Sequence, residues 1–180
     1  MVPEERTVRE ADLVPPVEAH LARQGYRVWA APDGADYFDI VARRGGEVGL
    51  VELKVADWRK VFAQAVRRRA WADWVAVALP RASLARRLLD RPTAPRAERI
   101  GVWVVATGSV RELRAARPLV GAGEADPFSE SRALFRARLD ELAAGAIPAG
   151  ARWLVPGRPR TGAARRTIRD WRLEEFPDGG

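Results

Sequence analysis

The chain has 180 residues, 47% of them hydrophobic and 31% charged, with a formal net charge of +7; this is one domain's length, with enough apolar content for a core. It has no cysteine and one histidine, His20, which excludes disulfides, thiolate metal sites and Cys–His catalysis and leaves Ser–His catalysis or a His-based metal site to rest on that one residue. No apolar run reaches the ~18 residues of a membrane span, and the first residues lack a signal-peptide core, so the sequence reads as a cytoplasmic protein with no membrane partner.

Residues 13–24 read as a helix. Pro15 and Pro16 suit its entrance, Gly25 its C-terminal cap, and Leu13, Val17 and Leu21 form its apolar stripe. Glu18 lies beside that stripe, either as a solvated acid complementing the helix dipole or as a site acid. Residues 26–30 read as a strand. Pro32-Asp33-Gly34 is a turn signal that pairs this strand antiparallel with residues 37–41, with Asp33 and Asp36 as turn formers.

Residues 37–41 and 48–55 are rich in β-branched, aromatic and other apolar residues apart from their charges. Gly45-Gly46 suits the two central positions of a type I′ turn. That turn sets Arg44 against Glu47, Arg43 against Val48, Val41 against Leu50, Asp39 against Glu52 and Tyr37 against Lys54. Two carboxylates then stand directly opposed, with Cβ atoms about 4.5–5.5 Å apart, where like charges are destabilising. Lys54, two residues beyond Glu52, points to the same face. The other face is expected to carry Phe38, Ile40, Val51, Leu53 and Val55. A divalent cation between the acids would reverse the sign of their interaction; the ordinary alternative is a charged, solvated strand face. Of the 31 lysines and arginines only Lys54 and Lys60 are lysine, a bias toward arginine that a GC-rich coding sequence produces. A lysine kept in this hairpin offers a compact ammonium with a tunable pKa, which arginine does not.

Asp57 is a plausible N-cap for a helix over residues 58–70, with Val61, Phe62, Ala65, Val66 and Ala70 inward. Gln64 falls near the buried edge, where an amide needs a hydrogen-bonding partner. Arg67, Arg68 and Arg69 read as a solvated basic face that could also meet phosphate. Residues 74–79 form an unbroken apolar run, the pattern of a strand buried on both faces. The strand–helix–strand unit predicts a right-handed crossover within one sheet. There follow a short helix over 83–89, a loop over 91–98, a second buried strand over 100–106 and an edge strand over 110–113. After a loop at 121–127, Ser129 or Ser131 caps a helix reaching about Ala144, with Leu134, Phe135, Leu139 and Leu142 inward. Residues 1–145 thus form one α/β domain, and residues 146–180 a basic extension containing Pro and Gly, with six arginines after Pro156 that include Arg165 and Arg166.

Helix, three-strand meander, helix, strand, with Asp39 on the second strand and Glu52-Leu53-Lys54 on the third, resembles the PD-(D/E)XK nuclease superfamily over about residues 13–107. The resemblance implies a restriction-endonuclease-like αβββαβ core, with a mixed central sheet flanked by helices. Glu18 and Gln64 stand where many members carry an acid on the first helix and a glutamine on the next. Phe38 replaces the proline of the nominal motif. Arg68 replaces the aromatic that follows the glutamine in the RecB-like branch, so the branch is unassigned. The resemblance further implies metal-dependent hydrolysis of phosphodiester bonds, in DNA more than RNA. Asp39, Glu52 and the Leu53 backbone carbonyl would hold Mg²⁺ or Mn²⁺, with Glu18 as a further ligand. Lys54 would orient the attacking water and Gln64 would position water or a phosphate oxygen. Arg67, Arg68, Arg69, Arg165 and Arg166 would hold the nucleic-acid backbone. Many nucleases of this fold act as dimers, which makes a homodimer the candidate assembly. Two alternatives stay open: a nucleic-acid-binding module on the same fold that does not cut, and a protein-interaction domain using the seven tryptophans and apolar tail residues.

Overall fold

The computed structural model describes residues 8–30, 38–90, 98–106 and 108–144. The predicted turn at 32–34, Asp36, Tyr37 and the extension at 146–180 with Arg165 and Arg166 lie outside the described residues. The described residues are α/β: a six-stranded mixed sheet flanked by helices. Its strands, β1 (Arg27–Ala30), β2 (Ile40–Arg44), β3 (Glu47–Leu53), β4 (Trp74–Leu79), β5 (Gly101–Ala106) and β6 (Ser109–Arg114), lie side by side in chain order. Pairing is antiparallel from β1 to β3, parallel from β3 through β4 to β5, and antiparallel again to β6.

The expected hairpin register is present: Arg44 faces Glu47, Arg43 faces Val48 and Val41 faces Leu50. Gly45 takes φ +58°, the left-handed conformation this turn requires. The faces of β3 then alternate. Val48 and Leu50 join the core beneath α2 (Trp58–Arg68), α3 (Ala82–Leu89) and α4 (Ser129–Ala143), while Val51 and Leu53 join the core beneath α1 (Glu10–Arg23). Gly49 is needed for close approach, because a Cβ there would stand 2.0 Å from the Trp74 indole.

Two expectations about facing are corrected. Phe38 packs with Val41 and Phe135 on the α2–α4 side, opposite to Ile40 and Val51. The strict alternation ends at Asp39, a bend just before β2, so Phe38 is released to cross the sheet edge. Leu134 is 51% exposed, and its expected inward place is taken by Arg132. The buried stripe of α4 runs Arg132, Phe135, Leu139, Leu142, a helical period that leaves Leu134 outside. Arg132 donates from one terminal nitrogen to Asp126 and from the other to the Arg69 carbonyl, while its Nε is buried without a hydrogen-bond partner.

Helix α1 starts three residues earlier than predicted, at Glu10, which places Pro15 and Pro16 inside it. Asp12 accepts from the Arg9 backbone N–H and supports this earlier start. Gly25, with φ +82°, ends the helix as expected. Helix α2 begins at the predicted cap, with Asp57 Oδ1 accepting from the Lys60 N–H at 3.0 Å. No helix among the described residues is long and apolar enough to cross a membrane.

Candidate active site

The parallel strands β3 and β4 end at the edge of the sheet where α1 and α2 both begin, and the ionisable residues of the hairpin collect there. Asp39 directly precedes β2, one step beyond the Ile40–Val51 pair, so the register carries it opposite Glu52. Its Oδ2 accepts from the Leu53 N–H at 2.8 Å. This bond fixes the carboxylate against β3 at the point where the regular ladder stops. Glu52, by alternation, points toward α2 and is 1% exposed. Its Oε1 accepts from Arg68 Nε at 2.8 Å, whereas its Oε2 is buried with no hydrogen-bonding partner. Lys54 lies just past β3 and donates from Nζ to Glu10 on α1 at 2.6 Å. Gln64 stands one helical turn before Arg68 on the same face of α2, and its Oε1 is buried without a partner.

Burial dominates the electrostatics. It raises the Glu52 carboxyl to about 7, with Arg68 pulling the value part of the way down and Asp39 adding to the rise. Asp39 is also raised, chiefly by burial, against the lowering effect of the Leu53 N–H and of Lys54. Two acids that resist ionisation side by side, each with one oxygen tied, form a site poised to accept a positive charge.

Among the described residues no group of three or more His, Cys, Asp or Glu could hold a metal ion. The described residues therefore build no zinc-type ligand cage. Mg²⁺ makes a smaller demand, since it keeps several waters and is commonly held through one or two carboxylates. Asp39 and Glu52 meet that demand: both are hard oxygen donors, and the orphaned Oε2 of Glu52 is a buried acceptor awaiting a partner. No protein-family model matches the chain, and no curated protein matches it.

Several expected site residues are placed differently. Glu18 is half-buried, eight residues along α1 from Glu10 and so about 12 Å further along the axis. Glu10 is the α1 acid that reaches the hairpin. It was missed because the proline pair read as the helix entrance, yet Glu10 shares the stripe spacing of Leu13, Val17 and Leu21. The basic run on α2 is not one solvated face. Arg68 is 6% exposed and turned inward. The half-buried Arg67 and Arg69 donate to the carbonyls of Ala63 and Val66 in their own helix. The signal for Arg68 was in the spacing: Val61, Ala65 and Arg68 stand at i, i+4 and i+7, the period of a buried stripe. Exposed cations nearer the site edge are Arg59 and Lys60 in the first turn of α2 and Arg81 just after β4.

Proposed function

We propose that the chain is a metal-dependent nuclease of the PD-(D/E)XK superfamily, with a restriction-endonuclease-like core, that hydrolyses phosphodiester bonds in DNA more than in RNA. The observation that carries this reading is the meeting of Asp39, Glu52 and Lys54 at one sheet edge, with a buried Glu52 oxygen left unpartnered. Asp39 and Glu52 would hold Mg²⁺ or Mn²⁺, with the Leu53 carbonyl as a further donor. When bound, the ion supplies a more acidic water and a Lewis acid for the phosphate oxygen. Lys54 orients the attacking water and offsets the charge that develops on the phosphate. Glu10 sets the direction of that ammonium. Gln64 Oε1, buried and unpartnered, accepts a hydrogen bond from water at the site. Arg59, Lys60 and Arg81 contact the sugar–phosphate backbone and position it without reading sequence.

Cleavage of supercoiled plasmid and labelled oligonucleotides with Mg²⁺ or Mn²⁺ tests the proposal, with wild type beside Asp39→Ala and Lys54→Ala. Loss of cutting in both variants and on adding chelator is the expected result. Undiminished cutting by Lys54→Ala overturns it.

One observation favours a second reading, a nucleic-acid-binding module that does not cut. Both charged side chains of the Glu52-Leu53-Lys54 motif are already ion-paired, to Arg68 and to Glu10. Salt-sensitive DNA binding without any cleavage, unaffected by chelator, would select it.

A further inference from the structure

The two positions where the chain departs from the superfamily pattern touch each other. Phe38 stands where the nominal motif has proline, and Arg68 stands where one branch has an aromatic. The Arg68 guanidinium lies over the Phe38 ring, 5.2 Å from its centroid, while its Nε–H binds Glu52 Oε1 at 2.8 Å. We propose that Arg68 is a positioning residue: braced on Phe38, it holds Glu52 by one oxygen and presents the other, Oε2, to the divalent cation. This inference rests on the metal-dependent reading above.

The geometry separates this role from an ordinary buried ion pair. Leaving one oxygen of a buried carboxylate unsatisfied is costly, and a cation bound there would offset that cost. Here Arg68 Nε takes Oε1, and Oε2 stays buried and unpartnered. Asp39 shows the same division, with Oδ2 tied to the Leu53 N–H. Each carboxylate is thus held from one side. Phe38 adds the connection between them, since it directly precedes Asp39 in the chain. Arg68 therefore fixes the strand end that carries one acid to the side chain of the other. A planar guanidinium can stack on a ring and donate at its edge together; a lysine ammonium offers a point charge without that plane. Groups of this kind, one step removed from a metal, orient its ligands.

The test is Mn²⁺ binding to the full chain by titration calorimetry at one fixed pH, beside thermal midpoints of the metal-free proteins. Wild type should bind, and Glu52→Gln should bind far more weakly. Arg68→Gln should bind about tenfold more weakly than wild type or worse, the usual scale for losing an outer-shell partner. Arg68→Lys should recover part of that loss, and Phe38→Leu should show a smaller loss of the same sign. Arg68→Gln and Arg68→Lys that melt lower but bind Mn²⁺ as wild type does would overturn the proposal and leave Arg68 structural. Should Arg68→Gln not fold, unchanged binding by Arg68→Lys and Phe38→Leu would overturn it equally. Absence of Mn²⁺ binding by wild type, or wild-type binding by Glu52→Gln, would instead remove the metal reading and this inference with it.

Discussion

Replacing Glu52 with Gln should remove a pH dependence from the protein's stability. The side chain is 1% exposed, and burial raises its carboxyl from 4.5 to about 7 even with Arg68 beside it. Between those values the folded chain holds the proton more tightly than the unfolded chain. The stabilisation this provides is complete below about 4.5 and is lost as pH rises through about 7. A shift of about 2.5 pH units at about 1.4 kcal/mol each amounts to roughly 3 kcal/mol. Glutamine keeps an acceptor for Arg68 and never ionises, so the variant lacks this dependence. Asp39 is raised in both proteins and largely cancels in the comparison. The assay is urea unfolding of both proteins in chelator at steps from pH 5 to pH 8. The stability difference should move in the variant's favour by up to about 3 kcal/mol across that range. A difference that stays constant with pH would refute the reasoning, because it would mean that Arg68 keeps Glu52 ionised throughout.

Three further outcomes are expected. Mg²⁺ or Mn²⁺ should raise the thermal midpoint of wild type, by an amount corresponding to about 2.7 kcal/mol at a hundred times its dissociation constant. The rise should be larger at pH 8 than at pH 6, because the cation must displace the Glu52 proton, and chelator should abolish it. Glu10→Ala should lower cleavage on the order of a hundredfold by releasing Lys54 from its set direction, while Glu18→Ala should leave it unchanged; equal effects would show that α1 serves the site otherwise. Gly49→Ala should destabilise the protein by about 1–3 kcal/mol in urea unfolding, since its Cβ would strike the buried Trp74 ring; a neutral result would show that the indole can move aside.

The backbone of the site was legible in the sequence and its charge pairing was not. Gly45-Gly46 fixes the turn, the turn fixes the register, and the register alone brings Asp39 to Glu52. Asp57 and Gly25 mark helix ends through local hydrogen bonding and φ preference, which depend on few neighbours. The partners of Glu52 and Lys54 depend instead on how two helices lie against the sheet. Arg68 and Arg132 were hidden by their own charge. Each sits at the helical period of a buried stripe, but arginine is so commonly solvated that periodicity was overruled by residue type. Glu10 was hidden by two prolines that stand inside α1, five and six residues past its first position, at the cost of two backbone donors.

Strand order that follows chain order has a consequence for how the protein folds. Every strand pairs only with its predecessor and its successor, so no strand must wait for a later one to be inserted beside it. Phe38, Asp39, Glu52, Lys54, Gln64 and Arg68 all fall within a single 31-residue stretch of chain. Closing that stretch requires one tight hairpin and the return of α2 onto β3, both local closures with a small entropic cost. The carboxylate cluster can therefore assemble in an early nucleus formed by β2, β3 and α2, with β5 and β6 adding afterwards. The like-charged acids and the unpartnered oxygen are then carried through the rate-limiting step. Mutations that relieve them should speed folding, whereas mutations at the β5–β6 edge should chiefly speed unfolding.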